Sequence, residues 1–431
     1  MKAGSENTLF KNILKLISGE GISRAIGFMA VPAITRLYTP SDFGILAVFS
    51  SLCALIYPFC TLRYTLAIPL HSNEKIGINS LATCLLVLVV NTVIIGIVLA
   101  FFHSKMLAIL SSESIDSFWC YIPLAFFFYG IAEILSYYST RYRDFSTIAK
   151  VTVLQRAIGA LTKIVLGLIH FNVIGLLIGN IIAESGGLTL YIRTHWKKLR
   201  ESVRNVSLGK IRFVLKRYKD FPLYRVPSQI LLKAAGSLPI LYYAWHFGTG
   251  ATGQISLAIT MLSVPVAIVC TSVGKAFYGE IASLGRKNSN EISVLTKRIM
   301  MRLSVISIVP FVLVTCFGPW IFKTIFGEEW IQAGFYARYL CFYLVFRFVY
   351  SPISDGIFNV FEQQKLVFRL EVSRVVIVAL SLFISYFYNF SIDYTIIIYS
   401  LALTVQYILS IIFVFHILKT ASTSYSFNLS T

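Results

Sequence analysis

Long apolar runs separated by short polar segments recur along almost the whole chain. A helix needs about 20 apolar residues to cross the hydrocarbon core of a bilayer, and the runs have that length. Their number predicts an all-α integral membrane protein with twelve transmembrane helices. The predicted spans are 13–36, 42–62, 78–102, 118–138, 148–169, 173–192, 224–246, 253–278, 300–322, 335–358, 368–387 and 394–417.

The composition is typical of a chain that is covered by lipid. Hydrophobic residues make up 57% of the 431 positions and charged residues only 13%, whereas a soluble domain carries roughly 25% charged residues. The polar surface is therefore too small to cover the fold in water. The seven cysteines are scattered through mostly apolar stretches without a CxxC pair, which supports neither a disulfide framework nor a zinc site.

Lysine and arginine are distributed unevenly between the two sides of the predicted spans. With a cytoplasmic N-terminus, the inner segments hold 28 of them and the outer connections only 4. Cytoplasmic loops of membrane proteins carry such an excess, so both termini are predicted to lie in the cytoplasm. This topology explains most of the excess of 38 basic over 19 acidic residues. No nucleic acid partner is expected, because the sequence contains no soluble basic domain.

The longest inner segment divides the chain into two groups of six spans. Similar hairpins join spans one and two (38–47) and spans seven and eight (247–255), and each leads through a glycine, Gly44 or Gly253, into a helix. Parallel six-helix repeats are a known transporter plan, so two pseudo-symmetric lobes are predicted, with chance similarity between hairpins as the alternative. The predicted domains are an N-lobe 1–192, a basic and potentially amphipathic cytoplasmic linker 193–223, a C-lobe 224–418 and a cytoplasmic tail 419–431.

Several ionisable side chains fall at membrane depth, where a charge is costly and usually faces the bundle interior or a wet cavity. Basic side chains predominate among them. They predict an electropositive cavity suited to an anionic headgroup, since arginine presents a planar fork of donors that can bridge phosphate oxygens. The predicted cavity residues are Arg24, Arg156, Lys233, Lys275, Arg347 and Arg374.

Some of these charges have a structural alternative. Lys163, Lys275 and Glu280 could lie near helix ends and extend to the interface. Other charges could pair within one helix, because residues three or four positions apart are neighbours on its surface. These pairs are Glu20 with Arg24 and Glu371 with Arg374.

Three acidic residues at membrane depth are candidates for coupling transport to an ion gradient. A carboxylate that binds H⁺ or Na⁺ in only one conformational state would supply that coupling, and no other cofactor is expected. Each carboxylate could equally be the structural partner of a neighbouring arginine. The candidates are Glu133, Glu184 and Asp355.

The polar segments argue against other functions. No outer loop is long enough for the active site of a polysaccharide polymerase, and no GxxxxGK[ST] phosphate loop occurs. A multidrug exporter of organic cations would favour an acidic cavity, and a structural scaffold gives no reason for arginine at membrane depth. The inner segment 197–219 could lie on the inner leaflet, held by anionic lipids, or form a solvated linker.

Three segments resemble the Wzx-type polysaccharide flippases, a branch of the multidrug/oligosaccharidyl-lipid/polysaccharide (MOP) exporter superfamily. Residues 32–44 (PAITRLYTPSDFG) resemble the first hairpin of that family. Residues 61–68 (TLRYTLAI) resemble the end of its second span, and residues 217–228 (RYKDFPLYRVPS) resemble the start of its seventh. Together with the twelve-span layout, the resemblance covers nearly the whole chain.

The resemblance implies a V-shaped pair of lobes that alternates between inward-open and outward-open states, as in the MATE transporters. It implies a transporter and not an enzyme. The cargo would be undecaprenyl-diphosphate-linked repeat units, moved from the cytoplasmic to the periplasmic leaflet of the bacterial inner membrane for O-antigen of lipopolysaccharide or a related polysaccharide. Arg63, in the second motif, would contact the diphosphate. The implied partners are membrane lipids, the polysaccharide polymerase and the chain-length regulator.

Overall fold

The computed structural model describes residues 2–71, 73–108 and 117–427, and within these ranges it contains 13 α-helices and no strands. Short 3₁₀ or π segments lie at several of the junctions between helices. The helices are α1 Lys2–Thr35, α2 Pro40–Ile56, α3 Glu74–Ala108, α4 Tyr121–Arg141, α5 Phe145–Leu168, α6 Asn172–Ser185, α7 Leu188–Val203, α8 Leu208–Arg217, α9 Val226–Leu284, α10 Ser289–Phe326, α11 Ile331–Val360, α12 Gln364–Phe387 and α13 Ile392–Phe427.

The helices confirm a multi-pass membrane protein. Nine helical segments of the described residues are long and apolar enough to cross a membrane, judged by length and composition. One of the nine, Phe221–Leu284, is 64 residues long and contains the predicted spans seven and eight. The predicted spans one and eleven, which correspond to α1 and α12, are not among the nine. The count of twelve and the cytoplasmic location of both termini stay predictions.

The chain folds into two compact units, Met1–Gly253 and Gln254–Thr431, called unit 1 and unit 2 below. In unit 1, α1 packs on α5, α5 on α6, and α3 on α4. One apolar cluster of unit 1 contains Phe49 of α2, Leu177 of α6 and Ala244 of α9. The N-terminal part of α9 is therefore packed into unit 1, and the lobe and linker boundaries drawn from the sequence stay predictions.

In unit 2, α10 packs on α11, and α13 packs on both α11 and α12. Gly318 of α10 lies against the backbone of α11 at Gly334, so close that a side chain on either residue would meet the opposite backbone. Small residues allow transmembrane helices to approach in this way. Leu303, Phe348 and Val349 form an apolar cluster between α10 and α11.

Helix α2 begins at a well-defined cap and ends at a break. Thr39 is the N-cap residue, and its hydroxyl and the Asp42 carboxylate satisfy each other's backbone N–H groups in a capping box. After Ile56 the chain continues as a 3₁₀ turn, Tyr57–Phe59, and Leu62 and Arg63 then both have positive φ angles of 47° and 62°. Such angles are uncommon for residues with a side chain. Because of this break, Arg63 does not continue a helical face of α2.

The predicted turn between spans seven and eight is a kink inside α9. Gly248 has φ 84° and ψ 171°, a left-handed conformation that glycine adopts without strain. Beyond the kink, the backbone of α9 touches the N-terminal turn of α2. A Cβ on Gly44 would collide with the Thr249 backbone, and Ser41 Oγ lies 2.8 Å from Thr249 Oγ1. The two hairpin glycines singled out in the sequence thus permit a close approach of two backbones.

The basic segment after α6 forms α7 and α8, whose apolar side chains are mostly turned inward. Ile211 and Val214 are buried, α8 packs on α3, and the Tyr64 hydroxyl donates to the Leu215 carbonyl at 3.2 Å. Leu208 and Phe213 of α8 remain exposed. The buried side of α8 therefore packs on protein, and its exposed side carries these two apolar residues together with basic ones.

Candidate functional site

The predicted site residues of unit 1 begin with an ion pair at the break after α2. Arg63 Nη1 lies 2.8 Å from Glu133 Oε1 on α4, and the two side chains are 18% and 9% exposed. Thr61 Oγ1 donates to the other carboxylate oxygen at 3.3 Å. The strained backbone at Leu62 and Arg63 costs on the order of 1–3 kcal/mol per residue. The surrounding structure over-determines this conformation, which presents Arg63 to Glu133.

A second carboxylate of unit 1 is hydrogen-bonded to a tyrosine. The Tyr57 hydroxyl donates to Glu184 Oε2 at 2.6 Å, and the ring of Tyr57 stacks on Tyr129 with 3.9 Å between centroids. Tyr129 interacts electrostatically with Glu133, Glu184 and Arg63. The two carboxylates thus lie around one pair of stacked aromatic rings, between α2, α4 and α6.

Two basic residues of α5 extend this cluster. Lys163 interacts electrostatically with both Arg156 and Glu184, and Arg156 is exposed. The Tyr38 hydroxyl donates to the Lys163 carbonyl at 2.8 Å, and burial together with the nearby Asp42 carboxylate raises the pKa of Tyr38 to about 12. Unit 1 therefore brings Arg63, Arg156, Glu133 and Glu184 into one polar region.

Arg24 lies on α1, where that helix packs against α5. The neighbouring Ser23 hydroxyl donates to the Thr152 carbonyl at 3.3 Å. Arg24 Nη1 is buried and has no hydrogen-bond partner among the described residues. Among the described residues, Arg24 forms no ion pair with Glu20. The pair that their spacing on α1 allowed therefore does not form.

Unit 2 holds a cluster of arginines and tyrosines. Arg347 interacts electrostatically with the hydroxyls of Tyr343 and Tyr407, and the guanidinium carbon of Arg374 lies 5.4 Å from the centre of the Tyr407 ring. Arg374 Nη1 also pairs with Glu371 Oε2 at 3.0 Å, as its spacing on α12 allows. Within the described residues, Arg347 has no carboxylate at ion-pair distance. Tyr407 thus lies near both Arg347 and Arg374.

The remaining predicted residues are not brought into either cluster. Lys233 in unit 1 and Lys275 and Asp355 in unit 2 are exposed, and none of them has an ion-pair partner among the described residues. Within the same residues, no group of three or more His, Cys, Asp and Glu side chains could hold a metal ion. Whether the cationic residues line one cavity stays a prediction.

Sequence reasoning missed the tyrosines that organise both clusters. Tyr57, Tyr129 and Tyr407 each contact or orient a charged group, yet nothing singled them out among 24 tyrosines. The Tyr57–Pro58 step, which follows the end of α2, is the one available signal. Proline cannot donate the next helical hydrogen bond, so this step favours a break in the helix.

Solved structures share this fold over nearly its full length. A structure of MurJ, the lipid II flippase, in an inward closed conformation aligns with a TM-score of 0.70 and 12% identity over 96% of this chain and 91% of that chain. An inward-facing MATE multidrug resistance transporter of the MOP superfamily aligns with a TM-score of 0.59 and 14% identity over 96% of both chains. A MOP superfamily transporter from Pyrococcus furiosus, described by a binding pocket of reversed polarity, aligns at 0.52 and 13% over 96% of both. The fold is that of the MOP superfamily transporters.

The family follows from the sequence itself. A family model of polysaccharide biosynthesis proteins matches residues 33–334, well over half of the chain. The chain belongs to this polysaccharide biosynthesis protein family. No curated protein sequence matches it.

Proposed function

We propose that this protein is a flippase that moves undecaprenyl-diphosphate-linked oligosaccharide repeat units from the cytoplasmic to the periplasmic leaflet of a bacterial inner membrane. Transport occurs by alternating access of the two lobes and supplies repeat units for O-antigen or a related polysaccharide. The family and the MOP fold support a transporter of polysaccharide precursors.

The observation that carries the proposal is buried basic charge without an acidic counterpart. Arg24 Nη1 is buried without a hydrogen-bond partner among the described residues, and Arg347 lies near tyrosines and has no carboxylate at ion-pair distance there. A buried polar group without a partner is costly, so such groups favour binding of an anion. The diphosphate of a lipid-linked sugar is an anion that needs compensation during its passage through hydrocarbon.

Coupling and partners complete the proposal. An H⁺ or Na⁺ gradient drives the cycle, with Asp355 of unit 2 as the carboxylate that takes up the ion. The transported unit is delivered to a polysaccharide polymerase whose product length is set by a chain-length regulator. The undecaprenyl tail stays in the bilayer while the headgroup passes through the protein.

The test is a gene deletion followed by extraction of lipid-linked saccharides, with rescue by wild type, Arg24→Gln and Arg302→Gln. Arg302 is exposed and makes no ion pair among the described residues. The Arg302→Gln variant is therefore the matched control, because it also removes one arginine charge. We expect single diphosphate-linked repeat units to accumulate in the deletion strain and surface polymer to disappear. Wild type and Arg302→Gln should restore both, and Arg24→Gln should not.

A different result would identify the rival function. An unchanged pool of lipid-linked saccharides, together with increased sensitivity to toxic organic cations, would show a multidrug exporter and refute the flippase proposal. Restoration by Arg24→Gln to the wild-type level would remove Arg24 from the site.

A further inference from the structure

The ion pair between Arg63 and Glu133 differs from every other charge contact of the predicted cationic residues. It joins two different elements of unit 1, the break after α2 and the middle of α4. The other ion pair of a predicted binding cation, Arg374 with Glu371, lies within one helix. The side chain of Glu133 is 9% exposed, so its carboxylate depends on this partner, because a buried charge without compensation is strongly unfavourable.

The groups that hold the Glu133 carboxylate are those that would hold a phosphate. Arg63 Nη1 contacts one oxygen and the Thr61 hydroxyl donates to the other. The Tyr137 hydroxyl lies near Arg63, whose Nε is buried without a hydrogen-bond partner among the described residues. Carboxylate and phosphate oxygens accept hydrogen bonds from guanidinium and hydroxyl donors in the same way. The carboxylate therefore occupies an anion site that the protein itself fills.

We propose that Glu133 is an internal competitor for the anionic cargo: it neutralises Arg63 when the site is empty, is displaced from Arg63 by a phosphate of the cargo, and recaptures Arg63 when the cargo leaves. This inference rests on the proposed function, because it requires an anionic headgroup. It gives Glu133 a role different from the ion coupling predicted from the sequence. The residue sets how tightly the cargo is held and how fast it is released.

Glu184 provides an internal comparison for this role. It lies in the same polar region of unit 1, but its carboxylate accepts from the Tyr57 hydroxyl and is not at ion-pair distance from any arginine of the described residues. Removing the charge of either carboxylate makes unit 1 more positive by the same amount. Only removal at Glu133 also frees Arg63. The two variants therefore separate competition for Arg63 from a general change in electrostatic potential.

The experiment measures binding of farnesyl diphosphate to the purified full-length protein in lipid nanodiscs. We expect Glu133→Gln to bind the probe about tenfold more tightly than wild type, equivalent to about 1.4 kcal/mol, mainly through slower dissociation. Glu184→Gln should change the affinity less than about twofold, because no arginine of the described residues lies at ion-pair distance from Glu184 and none is freed by the substitution. Arg63→Gln should bind weakly, and adding Glu133→Gln to it should give no gain.

The controls keep each outcome decisive. Size-exclusion profiles and thermal melts establish that each variant is folded, and if Glu133→Gln is not, Glu133→Asp replaces it. The aspartate keeps the charge on a side chain one methylene shorter, so its ion pair with Arg63 should be weaker. The probe should then bind severalfold more tightly than to wild type.

Two outcomes refute different statements. Equal gains for Glu133→Gln and Glu184→Gln, or no gain at Glu133, would overturn the competitor role and leave the flippase proposal in place, since the diphosphate still binds. Folded wild-type protein that fails to bind the diphosphate would refute the anionic cargo, and the competitor role would fall with it.

Discussion

Replacing Gly253 with alanine tests the close approach of α9 to α2. A Cβ at this position would lie 2.8 Å from the Gly44 nitrogen and would overlap the Pro40 carbonyl oxygen. Both atoms belong to the backbone of a capped helix turn, so neither can move aside as the end of a flexible side chain would. Forcing an extra methyl group into a packed contact typically costs about 1–3 kcal/mol, and the Gly253→Ala variant should be destabilised accordingly.

Gly250 supplies the matched control, because it lies on the same helix and a Cβ there would meet nothing within 4 Å. Alanine is favoured over glycine inside a helix by about 1 kcal/mol, and that gain applies to both variants. The difference between them therefore isolates the collision. We expect the free energy of unfolding of Gly253→Ala to lie about 1–3 kcal/mol below that of Gly250→Ala.

The assay is reversible unfolding of the purified protein in mixed detergent micelles, followed by tryptophan fluorescence. Gly44→Ala should behave like Gly253→Ala, and the double variant should be less unstable than the sum of the two, because both glycines serve one contact. Equal unfolding free energies for Gly253→Ala and Gly250→Ala would show that the two backbones do not approach in this way.

Three further predictions concern the clusters and the topology. Tyr57→Phe removes the hydrogen bond to Glu184 while keeping the aromatic ring, so the same detergent titration should show a loss of about 1.5–3 kcal/mol; an unchanged value would mean that the bond is not formed. In a background without native cysteines, single cysteines at Arg24, Arg156 and Arg347 should react with a small water-soluble thiol reagent, and complete protection at all three would exclude a wet cavity. A reporter fused after Thr431 should be active only if it reports from the cytoplasm, and activity of a periplasmic reporter would overturn the predicted orientation.

The sequence predicted features that depend on local pattern. Apolar runs predicted a multi-pass helical membrane protein, and the spacing of Glu371 and Arg374 allowed the pair observed at 3.0 Å. The turn predicted after Phe247 is present as the kink at Gly248. These features are set by neighbours within one or two helical turns, where spacing alone determines which residues can meet.

The sequence did not predict contacts between distant segments. Arg63 and Glu133 are 70 positions apart, and Tyr57 and Glu184 are 127 apart. Hydropathy and charge place each residue at membrane depth but do not tell which helices are neighbours. Conversely, the spacing of Glu20 and Arg24 allowed a pair that is absent from the described residues. Tertiary packing therefore determines which of the possible partners meet, and the sequence pattern alone does not.

The position of Arg347 has an electrical consequence for the proposed transport. Its charge is attached to α11 and has no carboxylate at ion-pair distance among the described residues. A phosphate that binds such a fixed cation and later leaves it carries its own charge through the membrane electric field. Each elementary charge that crosses the potential is worth about 2.3 kcal/mol per 100 mV. In a cell with a negative interior, the membrane voltage alone would then favour outward movement of an anionic headgroup.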